Sequence, residues 1–211
     1  MEYAKDSKER VPYEHYTTLF QETDPVEIGR RSMVPYDEEG QFFTVRFLNC
    51  DYKITWPDFQ IMHLEEGYGY YPLEDMHAAK ILILRFLLEG SKVPAQGKFY
   101  TYRELPWGEV YLRQFQGRCL MRLAFGFGNK LDKFKKALDT LGAKPIADGD
   151  CGYELELMDG LFVRYMLWQG DDEFPPSAQI LFSDNFTAAS FTAEDLAVVG
   201  DITIGTFKKL S

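Results

Sequence analysis

Only three cysteines occur in 211 residues, Cys50, Cys119 and Cys151. They are odd in number, far apart and without a C-x-x-C pair, so neither a disulfide framework nor a zinc knuckle is expected. Scattered thiols of this kind fit a reducing cytoplasm. Long apolar runs are also missing. The longest, ILILRFLLEG from Ile81, contains Arg85 and is too short to span a bilayer. The opening MEYAKDSKER has alternating charges and no apolar stretch, unlike a secretory signal. Positive charge is in deficit: 23 Lys and Arg face 33 Asp and Glu, a formal net charge of -10. That balance argues against nucleic acid and against an anionic membrane surface as partners. The densest basic run, Lys130 to Lys136, is interrupted by Asp132 and reads as one face of a helix.

Several catalytic signatures are missing too. There is no G-x-S-x-G elbow for a serine nucleophile. The GFGN stretch at Gly126 to Asn129 has neither dinucleotide-binding nor Walker spacing, and no strand precedes it. The D-x-D-x-D-G spacing of a calcium loop does not occur.

What is present is an ordinary globular composition, 45% hydrophobic and 27% charged, with an aromatic share of 16%. Rings bury much area each, so a sizeable core is available. The length suggests one domain over residues 1–211, with residues 1–10 loose. Residues 11 to 33 read as two short helices, the second capped by Asp24 with Pro25 in its first turn. GQFFTVRFLNCDYKITW alternates as a hairpin, with its turn at Asn49-Cys50-Asp51. Glu74 to Leu88 is expected to be a helix ending at Gly90. Lys98 to Arg103 reads as a strand. The stretch after Gly108 is mostly helical, with a break at Gly117. Leu131, Phe134, Leu138 and Leu141 form the stripe of a clear helix, with Gly142 behind it as the cap.

The last third reads as a meander. YELELM alternates, Asp159-Gly160 is a two-residue turn, LFVRYMLW is apolar on both faces, and AQILFSD is the third strand. A segment from Thr192 follows, helical at both ends, with Thr192 and Asp195 as a reciprocal cap. The expected fold class is α+β: an antiparallel sheet, built from the early hairpin and the C-terminal meander, packed against several helices.

The run LWQGDDEFPPSAQILFSDN followed by FTAEDLAVVG resembles the signature of the family known as domain of unknown function 3786. The matching residues are Trp168, Gly170, Asp171, Glu173, Phe174, Pro176, Ile180, Leu181, Phe182, Glu194 and Asp195. Ser183-Asp184 departs from the pattern, because the expected acid comes one residue late. The upstream segments FTVRFLNCDYKITW and FYTYRELPWGEVYLRQF are similar to the family as well. The resemblance implies an anaerobic prokaryotic source and, from relatives that carry an appended iron–sulfur domain, a redox or corrinoid context. It transfers no catalytic residue.

Three groups are candidates for chemistry. Asp171, Asp172 and Glu173, with Asp184 as a further candidate, offer the oxygens that a divalent cation needs. The alternatives are a solvated loop, with Phe174 plugging the core and Pro175-Pro176 stiffening the return, or acid–base work by Asp171 and Glu173. His63 and His77, with Glu74 three residues before His77 on one helix face, form a second candidate, for zinc or iron. The alternative is a capped helix start with a histidine on its flank. The aromatic loop carrying Tyr68, Tyr70 and Tyr71 suits a flat ligand or a protein partner, or else lays its rings on the core. The leading functional expectation is a cytoplasmic accessory or binding module for a ligand or partner. Its rival is a metal-assisted hydrolase centred on Asp171 and Glu173, with His63 or His77 nearby.

Overall fold

A computed structural model describes residues 10–211. The expectation for the first residues therefore lies, for residues 1–9, outside the described part. The expected α+β architecture is what the chain adopts. In chain order, helices α1 (Val11–Glu22) and α2 (Pro25–Ser32) lead into strands β1 (Tyr36–Asp37), β2 (Phe42–Phe47), β3 (Cys50–Thr55) and β4 (Ile61–His63). Helices α3 (Pro72–Asp75) and α4 (His77–Glu89) follow, then β5 (Phe99–Thr101). Next come α5 (Gly108–Phe115), a π-helical segment (Gln116–Met121), α6 (Arg122–Phe127) and α7 (Leu131–Thr140). Strands β6 (Lys144–Ile146), β7 (Cys151–Met158), β8 (Leu161–Trp168) and β9 (Ser177–Ser183) then lead to the last helix, α8 (Ala193–Leu210).

The sheet runs β4-β3-β2-β7-β8-β9-β5, with β1 added on β2 and β6 on β7. Its pairings are antiparallel. The early hairpin and the late meander are therefore one sheet. Their seam is narrow: β2 meets β7 in a single residue pair, Phe47 and Met158. The hairpin turn extends that seam. It falls at Leu48-Asn49, both in the left-handed region at φ 50° and 62°, one residue earlier than the sequence suggested. Two left-handed residues match the twist of the flanking strands. In this position Leu48 N–H donates to Leu157 O and Asn49 N–H to Glu156 O. The Asn49 side chain donates to Leu141 O at the end of α7.

Alternation sets which side of the sheet is buried. Phe43, Val45 and Phe47 of β2 and Tyr52 and Ile54 of β3 are buried, as are Leu155 and Leu157 of β7. Val163 and Tyr165 of β8 join them. Against this face lie α4 and α8, each apolar around most of its circumference. Such helices belong in an interior. α8 is one continuous 18-residue helix, opened by the Thr192–Asp195 capping box.

Three further expectations need correction. The helix over Glu74 to Leu88 is two helices, interrupted by an extended Met76 at φ -106°, ψ 117°. The break expected at Gly117 is instead a π turn inside an unbroken helical run from Gly108 to Phe127. Phe174 does not plug the core; it is 67% exposed. Pro176 takes the inward place, packed on Gly128 and Gly170, where an added Cβ would lie 2.3 Å and 2.6 Å from its ring. Among the described residues, no helix is long and apolar enough to cross a membrane.

Candidate functional site: a cleft between the helices

A cavity of about 970 Å³ opens between α1, α4, α5, the π segment and α8. Its size is at the upper end of small-molecule sites. Ile81 and Leu82 of α4 and Val198 and Ile202 of α8 supply an apolar floor. Tyr16 of α1 and Tyr111 of α5 form part of the walls. The polar part is a set of charged side chains that hold one another.

The first charged group is built on Asp195. One of its oxygens accepts from the backbone N–H and the hydroxyl of Thr192, 2.7 Å each, and so starts α8. The same oxygen pairs with the Arg85 guanidinium from α4. Arg85 also donates to Glu89 and to the Ser190 carbonyl, 3.3 Å each. Burial alone would lower the Arg85 pKa, but Asp195 outweighs it and the value is raised. The guanidinium stays charged and anchors α4 to the start of α8.

The second group is built on Arg118 in the π segment. Arg118 donates to Asp201 at 2.6 Å, to Glu194 at 2.7 Å and to the Tyr111 hydroxyl at 3.1 Å. Asp201 also accepts from Arg122 at 2.9 Å. Burial again opposes the charge on Arg118, and the two carboxylates overcome it. Hydrogen bonding to Glu194, followed by burial, raises the Tyr111 hydroxyl above its ordinary value. Burial does the same for Tyr16.

A local sequence feature explains why Arg118 arrives there. Cys119, its neighbour, packs against Gly200 of α8, where a Cβ would lie 2.4 Å from the thiol sulfur. Glycine is thus required for the π segment and α8 to come this close. The approach puts Arg118 over Asp201, one residue beyond that glycine. π turns inside helices often occur at functional sites.

The sequence-derived candidates lie elsewhere. Asp171, Asp172 and Glu173 are exposed on the loop between β8 and β9. Asp171 Oδ1 accepts from the N–H groups of Glu173 at 2.9 Å and Phe174 at 2.7 Å. Those bonds hold its carboxyl below the ordinary range. Asp184 is at the other end of β9, roughly 20 Å away over seven residues of extended chain. There it accepts the Gln96 N–H at 2.9 Å. It therefore does not join the triplet.

Glu74 does not share a helix face with His77, because the chain leaves the helix at Met76 between them. Glu74 turns to His63 instead, 2.8 Å from Nδ1, and also accepts the His63 backbone N–H at 2.7 Å. The His63 ring stacks on Tyr71 at 3.6 Å, with Nε2 3.4 Å from Glu66. His77 lies against Tyr13. Three strands separate β4, which carries His63, from β8, on the order of 19 Å along the sheet. The histidine and the acidic loop thus do not form one site. Tyr68, Tyr70 and Tyr71 are half-buried with their rings against the core. Their hydroxyls are partly used within the fold: Tyr68 donates to Asn49 O and Tyr71 to Glu65 O. Among the described residues, no group of three or more His, Cys, Asp or Glu side chains is placed to hold a metal ion.

The sequence model of a family described as Domain of unknown function (DUF3786) matches residues 24–206. The chain belongs to this family. The DUF3786 span takes in all the cleft residues named above except Tyr16. The two ends of the motif that carried the resemblance have different places: Asp171 and Glu173 sit on the β8–β9 loop, and Glu194 and Asp195 line the cleft. No curated protein and no solved structure matches the chain.

Proposed function

We propose that this DUF3786 chain is a binding module and that its ligand or partner group enters the interhelical cleft. The observation that carries the reading is the pairing of a floor of Ile81, Leu82, Val198 and Ile202 with a self-neutralised charged wall. Each guanidinium and carboxylate in that wall already has a partner, so a highly charged ligand would have to break an ion pair to enter. A mostly apolar molecule with one or two hydrogen-bonding groups fits best, with Tyr16 and Tyr111 among the groups within the cleft that can meet it.

A cytoplasmic setting belongs to the same proposal. The three cysteines are free and buried, and burial pushes the Cys119 thiol up to about 12. Thiols kept protonated this way are poor nucleophiles. The anaerobic redox or corrinoid context implied by the family resemblance remains the setting in which a partner would be sought. The metal-assisted hydrolase reading has weaker support, since Asp171 Oδ1 is taken up by its own loop and both histidines have partners elsewhere.

The test is a thermal-shift screen with aromatic and short aliphatic fragments bearing neutral, anionic or cationic ends. Binding raises the melting temperature by mass action. Ala78→Phe, which places a ring in the cleft mouth, should abolish the shifts while the fold persists. Shifts of equal size in both proteins would remove the cleft from consideration.

A further inference from the structure

Along one edge β2 is paired by β3 over its whole length. Its other edge is shared. β1 takes Phe42 and Phe43, Thr44 N–H reaches Pro35 O, and β7 takes Phe47. Between them, at Val45 and Arg46, the ladder is open, because the chain turns away at Asp159-Gly160. A cavity of about 340 Å³ lies at this gap, with Arg46, Asp51, Lys92, Glu156 and Asp159 in its lining. None of its lining residues lines the interhelical cleft. Strand alternation supplies most of the charge: Arg46 on β2, Asp51 on β3 and Glu156 on β7 each stand between residues buried on the other face. The Lys92 backbone N–H donates to Ser32 O at 2.8 Å, which holds this lysine beside the gap.

Four polar atoms here are poorly paired. Asp159 is only 5% exposed. Its Oδ2 accepts the Arg46 N–H, but among the described residues Oδ1 has only Lys92 Nζ, at 3.5 Å. Lys92 Nζ has no other partner among those residues. Arg46 binds Asp51 through Nε at 2.7 Å and Nη2 at 2.9 Å, which leaves Nη1 with Glu156 Oε2, again at 3.5 Å. Both long contacts are stretched by about 0.5 Å beyond an ordinary N–H···O bond. Glu156 Oε1 is committed elsewhere, accepting the Gly160 N–H at 2.8 Å. Two donors and two acceptors thus face one cavity with bonding capacity unused.

We propose that this gap is a second binding site, for a small amino-acid-like zwitterion. Its ammonium meets Glu156 Oε2 and Asp159 Oδ1, and its carboxylate meets Arg46 Nη1 and Lys92 Nζ. Charge-assisted hydrogen bonds of this kind are the stronger ones. Simpler ions each fail on one side. An anion brings no donor to the two carboxylates and is repelled by a chain of net charge -10. An amine brings no acceptor to the two cations. The volume is at the lower end of small-molecule sites, so the guest is small.

Titration calorimetry on the full chain tests this with glycine, alanine and serine at millimolar concentration, beside acetate and methylammonium as half-molecules. The amino acids should bind, and the half-molecules should be weaker by about tenfold or more. Lys92→Met and Glu156→Gln, both at partly exposed side chains, should each weaken alanine binding by about tenfold or more, with circular dichroism and melting showing an intact fold. Ala78→Phe, in the cleft mouth, should leave alanine binding unchanged, so that failure here and failure of the cleft reading are told apart. Absence of amino-acid binding overturns the proposal, since the gap then holds water only. So does acetate or methylammonium binding as strong as alanine's. Alanine binding that Lys92→Met or Glu156→Gln leaves unchanged, or that Ala78→Phe abolishes, overturns it as well.

Discussion

Asp159 accepts the backbone N–H of Arg46 at 3.1 Å, and through this bond a side chain continues the sheet where the backbone ladder stops. The ladder between β2 and β7 has one pair, and β7 turns away at Asp159-Gly160 directly after it. The Asp159 carboxylate occupies the place of the missing strand partner, with Lys92 3.5 Å from its other oxygen. It is almost wholly buried, and burial raises its pKa above the ordinary carboxylate value.

Two variants separate the hydrogen bond from the charge. Asp159→Ala leaves a strand N–H without a partner and should cost about 1–3 kcal/mol in denaturant unfolding. Asp159→Asn keeps an acceptor and should cost far less. The folded state holds the Asp159 proton over a range where the unfolded chain has released it. This contribution to stability is complete below the ordinary carboxylate value and is lost as pH rises through the raised one. Asp159→Asn should remove that fall from the stability–pH curve.

The His63–Glu74 pair gives a second pH signature. Hydrogen bonding to Glu74 raises the His63 pKa above 6.5, with burial opposing and Glu66 assisting. A raised histidine stabilises the fold fully below its unfolded value and loses that contribution as pH rises through the folded one. Imidazole proton shifts followed by NMR should place the His63 midpoint above 6.5, and Glu74→Gln should bring it down. A midpoint that Glu74→Gln does not move would mean that the pair does not form in solution.

The acidic loop is predicted to be architectural. Asp171→Ala should lower the melting temperature equally in chelator and in calcium, magnesium or zinc, while Asp171→Asn, which can still accept both N–H groups, should restore most of the loss. The depressed Asp171 carboxyl contributes above its ordinary value and ceases to as pH falls through the folded one. A melting temperature that divalent ions raise in the wild type, and not in Asp171→Ala/Glu173→Ala, would instead mark a cation site.

Close approach at Gly200 is tested by overpacking. Gly200→Ala should cost about 1–3 kcal/mol through contact with Cys119. Adding Cys119→Ala should recover part of that loss, since the two residues touch and their effects are not additive.

The sequence was legible where a local rule decides the structure. Alternation and the Asp159-Gly160 turn revealed the meander, and Thr192 with Asp195 marked the start of α8. It misled where a distant contact decides. Nothing near Glu74 says that its carboxylate will reach back eleven residues to His63 across a broken helix. Phe174 next to two prolines reads as an anchor, yet Pro176 found the glycines at 128 and 170 and left the ring outside. The cleft was missed entirely, since its lining comes from five elements and each residue has an ordinary local role. Asp195 reads as a cap and as part of the family motif, and Arg85 as an interruption of an apolar run.

The most direct test of the cleft is an amide and side-chain chemical-shift map of the labelled protein with a fragment from the thermal-shift screen. The account predicts perturbations clustered at Ile81, Arg85, Tyr111, Val198 and Ile202, and their loss in Ala78→Phe. Perturbations that spare those residues and gather instead on the β8–β9 loop or around His63 would contradict it.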